Sequence, residues 1–183
     1  MNTKNDDKKI VVWFTGLSGS GKTTIAEALK KELEARGKRV HILDGDVVRN
    51  TLHRNLGFSR EDIRENNRLI AEFAREKNEA HDIVLVPIIS PYREDRKMAR
   101  QIVGDGFIEL YINCPLEECM RRDVKGLYRQ VREGKRGKLI GMEGGEHPYE
   151  APFNPELEIM TKNNELHENK SRIIIFLSSR GYL

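Results

Sequence analysis

Cysteine is scarce in this chain of 183 residues: only Cys114 and Cys119 occur. Their spacing matches neither a CxxC redox pair nor a four-ligand zinc site, so both are expected to be ordinary packed or surface thiols. Long apolar runs are missing too. The longest, Ile10–Phe14 and Ile83–Ile89, fall far short of the ~20 residues that a bilayer-spanning helix needs. The opening segment Met1–Lys9 carries mixed charge ahead of a short apolar stretch, which does not read as a signal peptide; a cytoplasmic protein is the expectation. Nor does one sign of charge dominate. Lys and Arg number 32 against 29 Asp and Glu, a net +3, too little for wholesale nucleic-acid binding, so any phosphate-binding charge has to be local.

What is present fits one globular domain over 1–183, with 38% apolar and 33% charged residues and too little length for two ordinary domains. Apolar runs alternate with helical stretches, the signature of an α/β fold. Strands are expected at Ile10–Thr15, Val40–Leu43, Ile83–Ile89, Phe107–Asn113 and Leu157–Met160. Between them, Ile25, Leu29 and Leu33 recur at helical spacing until Gly37, and a helix is expected near Asp46. Ser59 precedes an acid by three residues and predicts a helix start that runs through Ile70, Phe73 and Ala74. Further helices are expected at Glu94–Val103, Pro115–Arg122 and Glu165–Ser179.

The stretch Lys125–Pro148 loses periodicity and gains six glycines. It also carries Lys125, Arg129, Arg132, Lys135, Arg136 and Lys138 against Glu133. Such a segment is a lid that closes over phosphates, or else a solvated basic loop.

Between the first strand and the first helix lies Gly16-Leu-Ser-Gly-Ser-Gly21-Lys22-Thr23, a match to the phosphate-binding pattern G-x-x-x-x-G-K-[ST] in the context its mechanism requires. Backbone N–H groups of Gly16, Ser18, Gly19, Ser20, Gly21, Lys22, Thr23 and Thr24 are placed to wrap a polyphosphate such as that of ATP; Lys22 adds a charge toward its outer phosphates, and Thr23 offers an oxygen to Mg²⁺. A switch GTPase is not indicated, because Asn169-Lys170-Ser-Arg172 lacks the aspartate of the guanine motif and no apolar strand precedes Asp123-Val-Lys-Gly126. Leu43-Asp-Gly-Asp46 follows the second strand, at the edge where open α/β sheets bind ligands. A carboxylate there ligates metal or accepts a hydroxyl proton, or in the case of Asp46 simply caps a helix.

Taken together, Gly16–Thr24, Leu43–Arg49, Leu56–Ser59, Ile89-Ser-Pro-Tyr-Arg-Glu-Asp-Arg96, Arg122-Asp-Val-Lys-Gly-Leu-Tyr128 and Pro148-Tyr-Glu-Ala-Pro152 resemble the adenylylsulfate kinases over nearly the whole chain. The resemblance implies a P-loop kinase fold, a five-stranded parallel sheet flanked by helices with a basic lid. It implies transfer of the ATP γ-phosphoryl, with Mg²⁺, to the ribose 3′-hydroxyl of adenosine 5′-phosphosulfate. Candidate catalytic residues are Lys22, Asp46 and Ser90, with Thr23 and Asp46 on the metal. The counterpart of Ser90 is sometimes given a phosphoserine role, but direct in-line transfer makes it a positioning residue. Asp44, Arg49, Phe58, Asn66, Ile89 and Lys125 are the implied contacts to the acceptor, Phe58 stacking on its base. The implied partner is a small nucleotide, with a homodimer allowed for, and neither nucleic acid nor membrane is expected.

Two departures fall on the acceptor side. Ile63 stands where the family commonly has an arginine that touches the acceptor, with Arg64 and Arg68 as candidates to compensate. Lys138–His147 lacks the family's second aromatic wall. Both leave room for another acceptor, such as a CDP-linked conjugate. A nucleotide-binding regulator without an acceptor is the more distant alternative.

Overall fold

The computed structural model describes residues 8–45 and 56–183. Strand β1 (Ile10–Thr15) is buried along its whole length, as a strand apolar on both faces must be when helices cover both sides of a sheet. Its side chains alternate: Ile10, Val12 and Phe14 enter one core, Val11 and Trp13 the other. The remaining strands are β2 (Val40–Ile42), β3 (Ile83–Pro87), β4 (Phe107–Asn113) and β5 (Leu157–Met160). They form an all-parallel sheet in the order β2-β3-β1-β4-β5.

Helices α1 (Lys22–Ala35) and α6 (Leu166–Ser179) cover one face, where Ile25, Leu29 and Leu33 meet Ile173, Ile174 and Leu177. The other face is covered by α2 (Arg60–Ala80) and α3 (Arg93–Val103), which bring Ile70, Ala71, Ala74 and Ala99 onto Trp13, Val84 and Val86. The connections leaving the neighbours β1 and β3 therefore run to opposite faces. Their divergence opens a crevice beyond the carboxyl ends of the strands, the place where open α/β sheets bind ligands.

The expected strands β1, β4 and β5 coincide with the observed ones. β2 and β3 end earlier than expected, at Ile42 and Pro87, because the chain turns at once toward the crevice; Ile88 already closes a tight turn with its N–H on the Val86 carbonyl. The helix start at Ser59 is a full capping box: Asp62 N–H donates to the Ser59 hydroxyl, and Ser59 N–H donates to the Asp62 carboxylate. The helix expected near Asp46 lies outside the described residues. One expectation needs correcting. The segment 125–148 is not irregular throughout: after α4 (Leu116–Arg122) it contains a further helix, α5 (Leu127–Arg132), whose Tyr128 is fully buried. Among the described residues, no helix is long and apolar enough to cross a membrane.

Candidate active site

The turn from β1 into α1 is built by glycines that side chains would spoil. A Cβ on Gly16 would lie 2.5 Å from the Ile112 carbonyl oxygen, so the loop passes over β4 at a distance only glycine permits. Gly21, with φ of 101°, caps α1 and offers no side-chain hydrogen bond. The first-turn N–H groups of α1 lie at the positive end of the helix, with no side chain on the cap residue to compete for them, the arrangement that binds phosphate. Lys22 is buried and folds back over this loop. Its ammonium donates to the carbonyls of Gly16 at 2.9 Å and Leu17 at 2.6 Å, and more weakly to the Ser20 hydroxyl.

Above the loop lies a cleft of about 1060 Å³. Of the sequence candidates, Ser18, Gly19, Ser20, Gly21, Lys22, Thr23, Thr24, Asp44, Phe58, Asn66, Ile89, Ser90 and Lys125 all line it. Gly16 is buried beneath the loop rather than in the lining. Asp46 and Arg49 lie outside the described residues. The cleft is large enough for two nucleotides and has two unlike walls. Toward β2 and β3 stand Phe58, Ile63, Asn66 and Ser90; toward β4 and β5 stand Arg122, Thr161 and Asn169.

Five buried side-chain polar atoms among the described residues lack a hydrogen-bond partner: Trp13 Nε1, Asn67 Oδ1, Ser90 Oγ, His147 Nε2 and Asn169 Oδ1. All but the tryptophan belong to residues that line the cleft. Buried polar groups are nearly always paired, so their concentration in one place marks a surface shaped for a polar ligand. Ser90 stands out further, with φ of 43°, an uncommon value for a residue other than glycine. The buried guanidinium of Arg96 holds it there, donating to the Ser90 carbonyl at 2.7 Å and to Glu109 at 2.6 Å.

The lid is fastened at both ends. Near its start, Asp123 accepts from the N–H groups of Tyr128 and Arg129, and the Tyr128 hydroxyl donates to the Ser18 carbonyl at 2.9 Å. Beyond its end, the Tyr149 hydroxyl lies 2.9 Å from that of Thr15, which in turn donates to the Ile89 carbonyl. Burial pushes both phenols above the usual tyrosine range. Lys125, Arg136 and Lys138 of this segment line the cleft, which favours the lid over a merely solvated loop.

The apolar departure at 63 is real in space: Ile63 is buried and lines the cleft. Neither expected substitute replaces a charge there. Arg64 pairs with Glu94 at 3.1 Å, and Arg68 pairs with Glu65 and Glu72. Asn67, Arg122, Thr161, His147 and Asn169 were not singled out as site residues from the sequence, since their place in the cleft arises from contacts between distant segments. Cys114 and Cys119 are buried and unpaired, as expected of packed thiols; burial, with Cys114 adding to it, pushes the Cys119 thiol up to about 12.

A magnesium ion at this site would be held mainly by phosphate oxygens and water, so it needs few protein ligands. Thr23 and Asp44, both in the lining, suit that role. No cluster of three or more His, Cys, Asp or Glu side chains able to hold a metal by itself occurs among the described residues.

Comparison with known proteins agrees with this geometry. The family pattern of adenylylsulphate kinase matches residues 8–160. An adenylyl-sulfate kinase from a Picosynechococcus strain is 48% identical over 178 residues, covering 97% of this chain and 98% of that one. Among solved structures, the Mycobacterium tuberculosis APS kinase CysC in complex with AMPPNP and APS superposes with a TM-score of 0.85 at 37% identity, over 93% of this chain and 98% of that chain. The hexameric APS kinase from Thiobacillus denitrificans gives 0.72 at 31% identity, covering 97% of this chain and 30% of its own. A glycine loop carrying Lys22, a cleft with two unlike walls and relatives matched from end to end place this chain in the adenylylsulphate kinase family.

Proposed function

We propose that the protein is an ATP-dependent kinase that phosphorylates the ribose 3′-hydroxyl of adenosine 5′-phosphosulfate, giving 3′-phosphoadenosine 5′-phosphosulfate. The observation that carries this reading is the single cleft that joins the phosphate loop to a second wall formed by Phe58, Asn66 and Ser90. A donor nucleotide and an acceptor nucleotide can meet there end to end. Phosphoryl transfer asks the protein for positioning and charge stabilisation more than for covalent chemistry.

In this reading the N–H groups from Ser18 to Thr24 hold the donor phosphates, and the Lys22 ammonium leaves the carbonyls of Gly16 and Leu17 to follow the charge on the transferring group. Thr23 and a carboxylate of the Asp44–Asp46 pair would hold Mg²⁺, which would supply positive charge against that of the phosphates. Asp46 accepts the proton of the attacking hydroxyl, and Arg49 and Lys125 hold the acceptor's anionic groups. Phe58, 55% exposed at the mouth of the cleft, offers its ring face to the acceptor base. Ser90 and Ile89 border the reacting centre, where Ser90 is a positioning residue. The chain acts as one domain with the lid closing over both nucleotides, and a homodimer is the proposed assembly, checked by light scattering.

The test is an ADP-release assay with adenosine 5′-phosphosulfate beside a panel of CDP-linked and UDP-linked compounds. Acceptor-dependent release with adenosine 5′-phosphosulfate alone is the expected result. Release with a CDP-linked compound instead would move the acceptor assignment, and ATP binding with no acceptor-dependent release would sink the kinase reading.

A further inference from the structure

Asn169 belongs to α6, far in sequence from the phosphate loop, yet it lines the same cleft and is only 2% exposed. Its Nδ2 donates to the Asn164 carbonyl at 3.4 Å, which fixes the orientation of the amide and leaves Oδ1 buried with no hydrogen-bond partner among the described residues. An acceptor oxygen held this way costs stability until something donates to it.

Its position says what arrives. The Thr161 hydroxyl donates to the Ser20 carbonyl at 2.9 Å, and the Arg122 guanidinium donates to the Thr161 carbonyl. The link from β5 to α6 is thereby fastened directly to the phosphate loop, on the side opposite Phe58 and Asn66. With a triphosphate on the loop and its outer end facing the acceptor wall, the nucleoside must extend toward Arg122, Thr161 and Asn169. We infer that Asn169 is a specificity-determining residue for the phosphoryl donor, its amide oxygen accepting a hydrogen bond from the exocyclic amino group of adenine. The inference rests on the reading of ATP as donor and goes beyond it by naming the group that selects the base. Of the atoms on the six-membered ring of adenine, only that amino nitrogen donates, whereas a carbonyl in its place would set two acceptors against each other.

The experiment compares ATP with purine riboside 5′-triphosphate, which differs only in lacking the amino group. Binding to the wild-type chain and to Asn169→Leu is measured by titration calorimetry with Mg²⁺ and without acceptor. The wild type is expected to bind ATP about tenfold more tightly than the analogue, the scale of one neutral hydrogen bond whose loss strands a buried partner. Asn169→Leu should bind both equally, at the weaker level. A structural role alone would weaken both ligands in the variant and leave the wild-type preference unexplained. Equal affinities in the wild type, or a preference that survives in the variant, overturn the inference while leaving the kinase reading intact. If neither triphosphate binds, both readings fall. Should Asn169→Leu not fold, as judged by circular dichroism, Asn169→Ala takes its place, and the wild-type comparison decides by itself.

Discussion

The phenol oxygen of Tyr92 and Nδ1 of His147 lie 2.8 Å apart, joining the residue that precedes α3 to the closing end of the lid. The Tyr92 ring is itself covered by the Arg60 guanidinium at 3.9 Å, and Arg60 grips the buried Asp95 through two bonds of 2.8 Å. A chain of contacts therefore runs from the first turn of α2, through α3, to the lid residue whose Nε2 is buried in a cleft-lining position.

Tyr92→Phe keeps the ring under Arg60 and deletes only the bond to His147. The expected loss is about 1 kcal/mol in urea unfolding, the net worth of one hydrogen bond. Faster amide exchange should be confined to residues 139–147. Unchanged exchange there would show that the bond does not order the lid.

Lys22→Ala removes the ammonium that, in the proposed reaction, leaves the carbonyls of Gly16 and Leu17 to follow the transferring phosphoryl. Turnover should fall by roughly 10²-fold or more, in the range of losing a strong electrostatic stabiliser, with the fold retained by circular dichroism. Steady-state kinetics with saturating ATP checks it, and near-normal kcat would refute the assignment of this loop.

Ile63→Arg introduces the charge that neither Arg64 nor Arg68 supplies. A charge-assisted bond to the acceptor is expected to lower its KM by roughly tenfold, at some cost in thermal stability because the position is buried. A raised KM would mean that Ile63 contributes by packing and that the pocket is organised differently around it.

Alkaline stability follows from the buried weak acids Cys119, Tyr128 and Tyr149. Cys119 is pushed from an ordinary value of 9.0 up to about 12, first by burial and then by Cys114, so the folded chain keeps a proton that the unfolded chain releases. Since the folded state binds more protons, stability must fall as pH rises from about 9 toward 12. The raised phenols of Tyr128 and Tyr149 act in the same direction. Urea midpoints measured across that range should decline, and Cys119→Ser should shallow the slope.

Much of this was legible in the order of residues. The capping box of Ser59 and Asp62 is a local pattern, the apolar run of β1 is local, and Gly16–Thr23 carries its chemistry in one stretch. What the sequence concealed depends on distance. Helix α5 hides among glycines and like charges because it is held from outside, by Asp123 on its first N–H groups and by Tyr128 reaching the Ser18 carbonyl 110 residues away. The wall of Arg122, Thr161 and Asn169 is likewise assembled by the bond from Thr161 to Ser20, across 141 residues. Arg64 and Arg68 looked able to replace a missing charge, yet helix geometry turns them to acidic neighbours on the solvent side.

The two fastenings of the lid have a mechanical meaning. One post, Tyr128 on Ser18, stands on the phosphate loop itself, and the other, Tyr149 on Thr15, stands on the last residue of the strand that feeds that loop. The strap between them is thus held at two points, and along its length Leu139 and Met142 pack against Cys114, Cys119 and Tyr128. Both posts rest on the four residues from Thr15 to Ser18, so any displacement of that short stretch is passed to both ends of the strap at once.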